Sequence, residues 1–264
     1  MPFDITRDDH GGYEVTRDGH PQSYVHPGDP GLLVYEYVQH LALILDVLPP
    51  GRLRITHVGG AGLSLPRYAE HTRPGSPQIV LEPDAELTQA VRETVPLPRR
   101  HRIRVRPIDG LAGITALRED SADVIVVDAF DAGRVPGELL GSDFAQEAAR
   151  ALTPGGLLAM NTCDEPGLRH ARAVVATLAQ KFPHVGLLAL KEVLNGRRFG
   201  NLVLLTSDQP LDEARLQRRA ASATFPTTFL GTAATSRWLG GAPAFGAIGM
   251  RSPIPPEAGV WRRR

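Results

Sequence analysis

Residues 53–84 read LRITHVGGAGLSLPRYAEHTRPGSPQIVLEPD, and their pattern decides the fold. A short apolar run, LRITHV, meets the glycines Gly59, Gly60 and Gly62. An amphipathic segment, LSLPRYAEH, follows, and then a second apolar run, QIVLE. This spacing predicts a strand, a tight turn, a helix and a second strand. Glycine lets the chain turn sharply and lets a ligand approach backbone that a Cβ would obstruct. Glu82 ends the second strand about 20 residues past the turn, where a carboxylate can accept both hydroxyl hydrogens of a ribose. Turn and carboxylate together point to a nucleoside-bearing ligand, either a dinucleotide or a sulfonium compound. Asp84 is placed to cap the helix that follows.

The alternation continues downstream through AELTQAVRETV, RIRVRPI, GLAGITALRE and ADVIVVDAF, then a helix from about 142 to 152 and the run GLLAMN. It predicts an α/β fold: a mostly parallel sheet with helices on both faces. Upstream, LLVYEYVQHLALILDVL (32–48) repeats apolar residues at three and four positions and reads as a helix stopped by Pro49, Pro50 and Gly51. Before it, GGYEV and QSYV predict a small strand pair. Further on, LRHARAVVATLAQKF reads as a helix leading to HVGLLALKEV and NLVLLTS, an antiparallel hairpin closing the sheet edge. From Phe225 the chain turns rich in Gly, Ala, Thr and Pro and reads as irregular, with Trp238 and Trp261 favouring docking over free solution and the terminal arginines solvated. The expected division is a small β region over 1–30, an α/β core over 31–220 and an irregular extension over 221–264.

Composition narrows the classes. The 264 residues are enough for a core without staples, and 29 Lys and Arg balance 29 Asp and Glu, so no general attraction to nucleic acid or anionic lipid is expected. Cys163 is the single cysteine, which excludes an internal disulfide and a multi-cysteine zinc cage. No apolar stretch reaches the roughly 20 residues of a membrane helix, and the acidic start MPFDITRDDH lacks the form of a signal peptide. These readings predict a cytoplasmic protein with no metal site.

Ligands of open parallel sheets sit at the carboxyl ends of the strands. Asp109 and Gly110 follow the third strand, where the carboxylate can meet a purine edge or cap the next helix. VIVVDAFDAG (124–133) carries Asp128 at its strand end and Asp131 in the loop. A carboxylate leaving an apolar strand should face a polar cleft or a hydrogen-bonding partner. Two such anions can hold a cationic amine, and one can take a proton as the amine attacks carbon. A loop knot accepting backbone N–H groups would explain the same pair. His57 reads equally as a structural histidine and as a ligand or base, Cys163 reads as a half-buried structural thiol ahead of a nucleophile because no basic partner is adjacent in sequence, and Asn161 stands where it can contact ligand or close the cleft.

Taken together, DGHPQSYV, LLVYEYVQHLAL, HVGGAGLSL, IVLEPD, VRPIDG, VVDAFD and LTPGGLLAMN occur in the order found in the spermidine synthases and polyamine aminopropyltransferases. The chain resembles that family, especially its bacterial spermidine-synthase-like branch, over roughly residues 10 to 207. The resemblance implies a class I methyltransferase-like, Rossmann-like core with a small N-terminal β region, and a homodimer. It implies transfer of an aminopropyl group from decarboxylated S-adenosylmethionine to an amine such as putrescine, with the donor a substrate and no tightly bound cofactor. By the same resemblance Glu82 holds the ribose, Asp109 faces adenine, Asp128 activates the acceptor amine and Asp131 holds its charge. Gln22 belongs to the ligand-facing N-terminal stretch, and Glu36 with His40 to the helix before the turn, although a pair four apart on one helix face has a structural reading as well. Three positions depart from the family pattern: Ala61 replaces the glycine-loop aspartate that meets the aminopropyl side of the donor, Val34 stands where a tyrosine is usual, and DAFD lacks its following proline. Ala61 removes a charge that would repel the carboxylate of intact S-adenosylmethionine, so methyl transfer is the alternative reaction. A non-catalytic nucleoside-binding or assembly protein is the second alternative, and a dinucleotide dehydrogenase ranks below it because the separated-glycine fingerprint is incomplete.

Overall fold

The computed structural model describes residues 3–245 and 251–256. Trp261 and the terminal arginines lie outside the described residues. Three antiparallel strands, β1 (Phe3–Arg7), β2 (Tyr13–Arg17) and β3 (His20–Val25), form the N-terminal sheet. The expected pair is thus a triplet: β1 pairs along all of β2, Ile5 opposite Val15. FDITR is too short and too exposed to stand out as a strand by itself.

Helix α1 runs from Glu36 to Val47, four residues shorter at its start than the apolar repeat suggested. It buries Val38, Leu41, Ala42 and Leu45 against the main sheet and ends where Leu48 turns extended before Pro49. A residue preceding proline is pushed out of the helical region, so the stop is local in origin. The predicted alternation follows: β4 (Ile55–Val58), α2 (Ser64–Thr72), β5 (Gln78–Leu81), α3 (Ala85–Thr94), β6 (Ile103–Arg106), α4 (Gly110–Thr115), β7 (Ala122–Val127), α5 (Ser142–Ala151) and β8 (Leu152–Asp164). These five strands are parallel, in the order β8-β7-β4-β5-β6. The chain moves outward in one direction from β4 to β6 and then returns to the other side of β4 at β7. That reversal opens a crevice beyond the carboxyl ends of β4 and β7.

After α6 (Arg169–Ala179) come β9 (His184–Leu190), α7 (Lys191–Leu194) and β10 (Gly200–Ser207). β9 and β10 are antiparallel as expected, but β10 lies between β8 and β9, so the hairpin enters the sheet instead of closing it. The edge is made by β11 (Thr227–Leu230), reached through α8 (Glu213–Ala221) and followed by α9 (Thr232–Leu239). The stretch read as irregular therefore supplies the last of eight strands and a helix. Its Gly and Thr content hid them, and tertiary partners restore them: the Glu213 carboxylate accepts from the Thr232 N–H at 2.7 Å as α9 starts, and Phe229 packs in the core. Residues 251–256 then cross back to the loop after β7. The buried Ser252 hydroxyl accepts from the Val135 N–H at 2.8 Å, and its carbonyl accepts from Arg134 Nε at 2.6 Å. Among the described residues no helix is long and apolar enough to cross a membrane, and no group of His, Cys, Asp and Glu is placed to hold a metal ion.

Candidate active site

A cleft of about 1830 Å³ lies at the crevice between β4 and β7, roofed on one side by β3. Its floor is the glycine turn. Gly59 adopts φ 87°, and a Cβ there would stand 2.3 Å from the Asp128 carbonyl oxygen, so the turn and the loop after β7 approach as closely as backbones can. At Gly60 a Cβ would meet Val80 at 2.6 Å. Gly62 does not line the cleft, against the expectation for it. A side chain there would strike Ser23 at 2.7 Å, so this glycine serves the docking of β3 onto the start of α2. Ser64 fastens that joint by donating to the Tyr24 carbonyl at 2.7 Å.

Glu82 faces the turn from the end of β5. One carboxylate oxygen accepts from Gly60 N–H at 3.0 Å and Ala61 N–H at 3.2 Å, and the other accepts from Asp84 N–H at 3.1 Å. A carboxylate offers roughly four acceptor positions, and three are already used. Glu82 thus shapes the turn itself and keeps room for one further hydroxyl, with a second one shared. Asp84 caps α3 by accepting from Leu87 N–H at 2.8 Å, and it pairs with Arg17 of β2. The N-terminal sheet is tied to the nucleotide-facing edge by that ion pair. Asp109 is exposed in the cleft and caps α4 through Ala112 N–H at 2.9 Å, so the two readings of it are compatible. Gly110 is required by packing: its Cβ would meet Val58 at 2.4 Å.

Asp128 sits on the cleft floor, its N–H bonded to the Val58 carbonyl at 2.9 Å. Burial pushes its carboxyl up to about 6, against the hydrogen bond from Asn161 Nδ2 at 2.9 Å, which lowers it. Asn161 is fully buried, so this donor is held in place. Asp131 lines the same cleft one turn of loop further, where its backbone pairs with Arg134. Gln22 of β3 lines the opposite wall. The cleft therefore gathers Gln22, Gly59, Gly60, Glu82, Asp109, Gly110, Asp128 and Asp131, and leaves Gly62 beneath it.

Several lining groups carried no signal in the sequence. Tyr37 of α1 faces the cleft, and burial first, then the charges of Asp128, Tyr35 and Glu36, hold its hydroxyl well above the usual tyrosine range. It is a neutral phenol lining the same cleft as the acid. Its place in the apolar repeat of residues 32–48 gives it the local pattern of a core residue. Arg251, Ile254 and Pro255 reach the cleft from the far C-terminal segment, and a Cβ on Gly133 would meet Pro255 at 2.7 Å. No local pattern announces such a long return. Two buried histidines near the site are structural: His57 bonds Gln78 at 2.9 Å and His40 bonds Thr227 at 2.9 Å, and burial lowers each to about 4, while His20 of β3 lines the cleft exposed. Cys163 is 3% exposed, and burial pushes its thiol up to about 11, which leaves it unreactive.

No family model and no curated protein sequence matches this chain. Solved structures do. A probable spermidine synthase from Corynebacterium glutamicum ATCC 13032 is 28% identical and superposes with a TM-score of 0.84, over 94% of this chain and 95% of that one. The spermidine synthase from Thermotoga maritima is 15% identical with a TM-score of 0.59, over 90% of this chain and 80% of that chain. Human methyltransferase-like protein 13, solved in complex with SAH, is 22% identical with a TM-score of 0.54, over 81% of this chain and 96% of that chain. The last two likenesses concern the fold alone. The chain has a spermidine-synthase-like fold: a mixed, mostly parallel sheet flanked by helices and preceded by a small antiparallel β region.

Proposed function

We infer that this chain is a transferase that takes decarboxylated S-adenosylmethionine as donor and passes its aminopropyl group to an amine. The observation that carries the reading is Asp128: a carboxyl raised to about 6, fixed by Asn161, standing where the strand order reverses and against the glycine turn. A base with that proton affinity can accept a proton near neutrality and release it again. In the reaction the neutral acceptor nitrogen attacks the aminopropyl carbon attached to sulfur. The C–N bond forms as the C–S bond breaks, and the sulfonium sulfur keeps the electron pair and leaves as methylthioadenosine. Asp128 takes the proton from nitrogen, and Asp131 offsets the positive charge. Glu82 would receive a ribose hydroxyl, Asp109 would face the adenine edge, and Gln22 would close the donor from the β3 side. The likeness to a probable spermidine synthase supports a transferase-like role.

Ala61 favours methyl transfer as the second reading. The turn offers no side-chain carboxylate at this position, and Ala61 instead packs beside the Val15, Leu87 and Val91 cluster. An intact donor carboxylate would meet no repulsion there. Incubation of the purified protein with either donor and a set of amines, with every nucleoside product identified by mass spectrometry, separates the readings. Methylthioadenosine from the decarboxylated donor together with an aminopropylated amine is the expected result. S-adenosylhomocysteine with a methylated acceptor replaces it by methyl transfer, and binding of methylthioadenosine without any turnover replaces both by a non-catalytic protein.

A further inference from the structure

The cleft is divided in charge. Around the glycine turn and the loop after β7 the carboxylates are Glu82, Asp109, Asp128 and Asp131; Arg17, which lines the cleft from β2, is paired with Asp84, and His57 is held by Gln78. At the other end, where β9 passes through α7 into β10, the exposed cationic side chains are Lys191, Arg197 and Arg198, and Arg251 lines the same cleft from the C-terminal segment that docks on the loop after β7. Glu192 is one acid of that end, engaged by Arg198 at 3.6 Å, and Glu36 at the start of α1 is a second. Lys191, Arg197 and Arg251 make no ion pair with any described residue. Asn195 and Asn201 stand among them, Asn201 donating to Glu36 at 3.4 Å. The cleft's volume exceeds the roughly 300–1,000 Å³ of an ordinary small-molecule pocket, which leaves this end for a second substrate.

A diamine entering this cleft reacts through one neutral nitrogen and carries an ammonium at its other end. With the reacting nitrogen at Asp128, that ammonium would share the cleft with three cations that have no ion-pair partner among the described residues. An acceptor with an anion at its far end would meet them as partners, the arginines by forked hydrogen bonds. We propose that the acceptor of this enzyme is an amine whose far end carries an anionic group, a carboxylate or a phosphate, and that Arg197, Arg251 and Lys191 bind that group. The proposal rests on the amine-transfer reading above and names its substrate class. The C–N and C–S bond changes are those already given, and the anionic group takes no part in them.

The test compares γ-aminobutyrate with putrescine, which share a four-carbon chain and differ in one end, with O-phosphoethanolamine separating phosphate from carboxylate. With the decarboxylated donor, γ-aminobutyrate or the phosphate ester is expected to be used with the higher kcat/KM. Removal of an exposed charge pair shifts binding about two- to fivefold, so Arg197→Gln combined with Arg251→Gln should lower the preference for the anionic acceptor by about tenfold, chiefly through KM. Both residues are exposed, so folding should survive the change. Methylthioadenosine released with putrescine at the higher kcat/KM, with a ratio the double variant leaves alone, overturns the proposal while the transfer reading stands. If none of the three acceptors releases nucleoside, the transfer reading fails, and calorimetry on protein saturated with methylthioadenosine decides the anion site by itself. Binding of the anionic amines that the double variant loses supports the site, and binding of putrescine alone or of no probe overturns it.

Discussion

Asp128 concentrates the chemistry in one side chain, and its ionisation gives the sharpest test. Its raised value means that the folded protein holds the proton more firmly than the unfolded chain does. Burial of the carboxylate therefore costs nothing below about pH 4, costs more as pH rises toward 6, and costs its full amount above that. The rise from 3.8 to about 6 sets a ceiling of about 3 kcal/mol, reduced in practice because Asp128 is only partly buried by its accessible area. Asp128→Asn should gain stability at neutral pH and none in acid, while turnover drops by about a hundred- to ten-thousandfold. A carboxyl titration followed by NMR, as the difference between wild type and this variant, should find the group near 6. In Asn161→Ala it should move higher, because the lost hydrogen bond is the one that favours the charged form. Titration in the ordinary aspartate range near 4, or no movement in Asn161→Ala, would remove Asp128 as the base.

At the scale of elements, the strand–turn–helix around Gly59 is the piece whose local code and tertiary role coincide. The glycines were visible as a turn, but only the packed molecule separates their duties: Gly59 admits the backbone of the loop after β7, and Gly62 admits β3. Gly59→Ala meets both a left-handed backbone and a main-chain atom at 2.3 Å, and should cost at least about 2 kcal/mol together with most of the affinity for methylthioadenosine. Gly241→Ala has a comparable φ of 77° with open space around it and lies outside the cleft lining, and should cost only about 1 kcal/mol with nucleoside binding kept. Denaturant unfolding and a binding isotherm for each variant check the contrast. Equal losses in the two would deny the close approach any role. The strands β9 and β10 were legible from their apolar runs, but their order in the sheet was not, because a hairpin has the same local pattern at an edge as inside.

Across the whole molecule, the return of residues 251–256 to the loop after β7 ties a far segment of the chain to the loop that carries the candidate base. Ser252 is the pin: its hydroxyl satisfies the buried Val135 N–H and lies 3.6 Å from Cys163 Sγ. Ser252→Ala leaves that N–H without a partner, at about 1–3 kcal/mol, and should let a thiol reagent reach Cys163 faster in the native protein. Unchanged labelling and stability would show that the segment does not hold the loop. The sequence by itself determined the α/β alternation, the α1 helix, the glycine turn and the carboxylates at the strand ends. Each of those follows from apolar periodicity, from glycine's freedom or from the rule that an acid cannot be left in an apolar strand, and all three act over a few residues. Only the tertiary structure decided which side chains share the cleft, that Glu82 spends its oxygens on the turn, that β11 makes the edge, and that Tyr37, Lys191, Arg197 and Arg251 line the cleft with Asp128. Those outcomes depend on contacts between residues tens to more than a hundred positions apart, and no local preference of the chain encodes such a meeting.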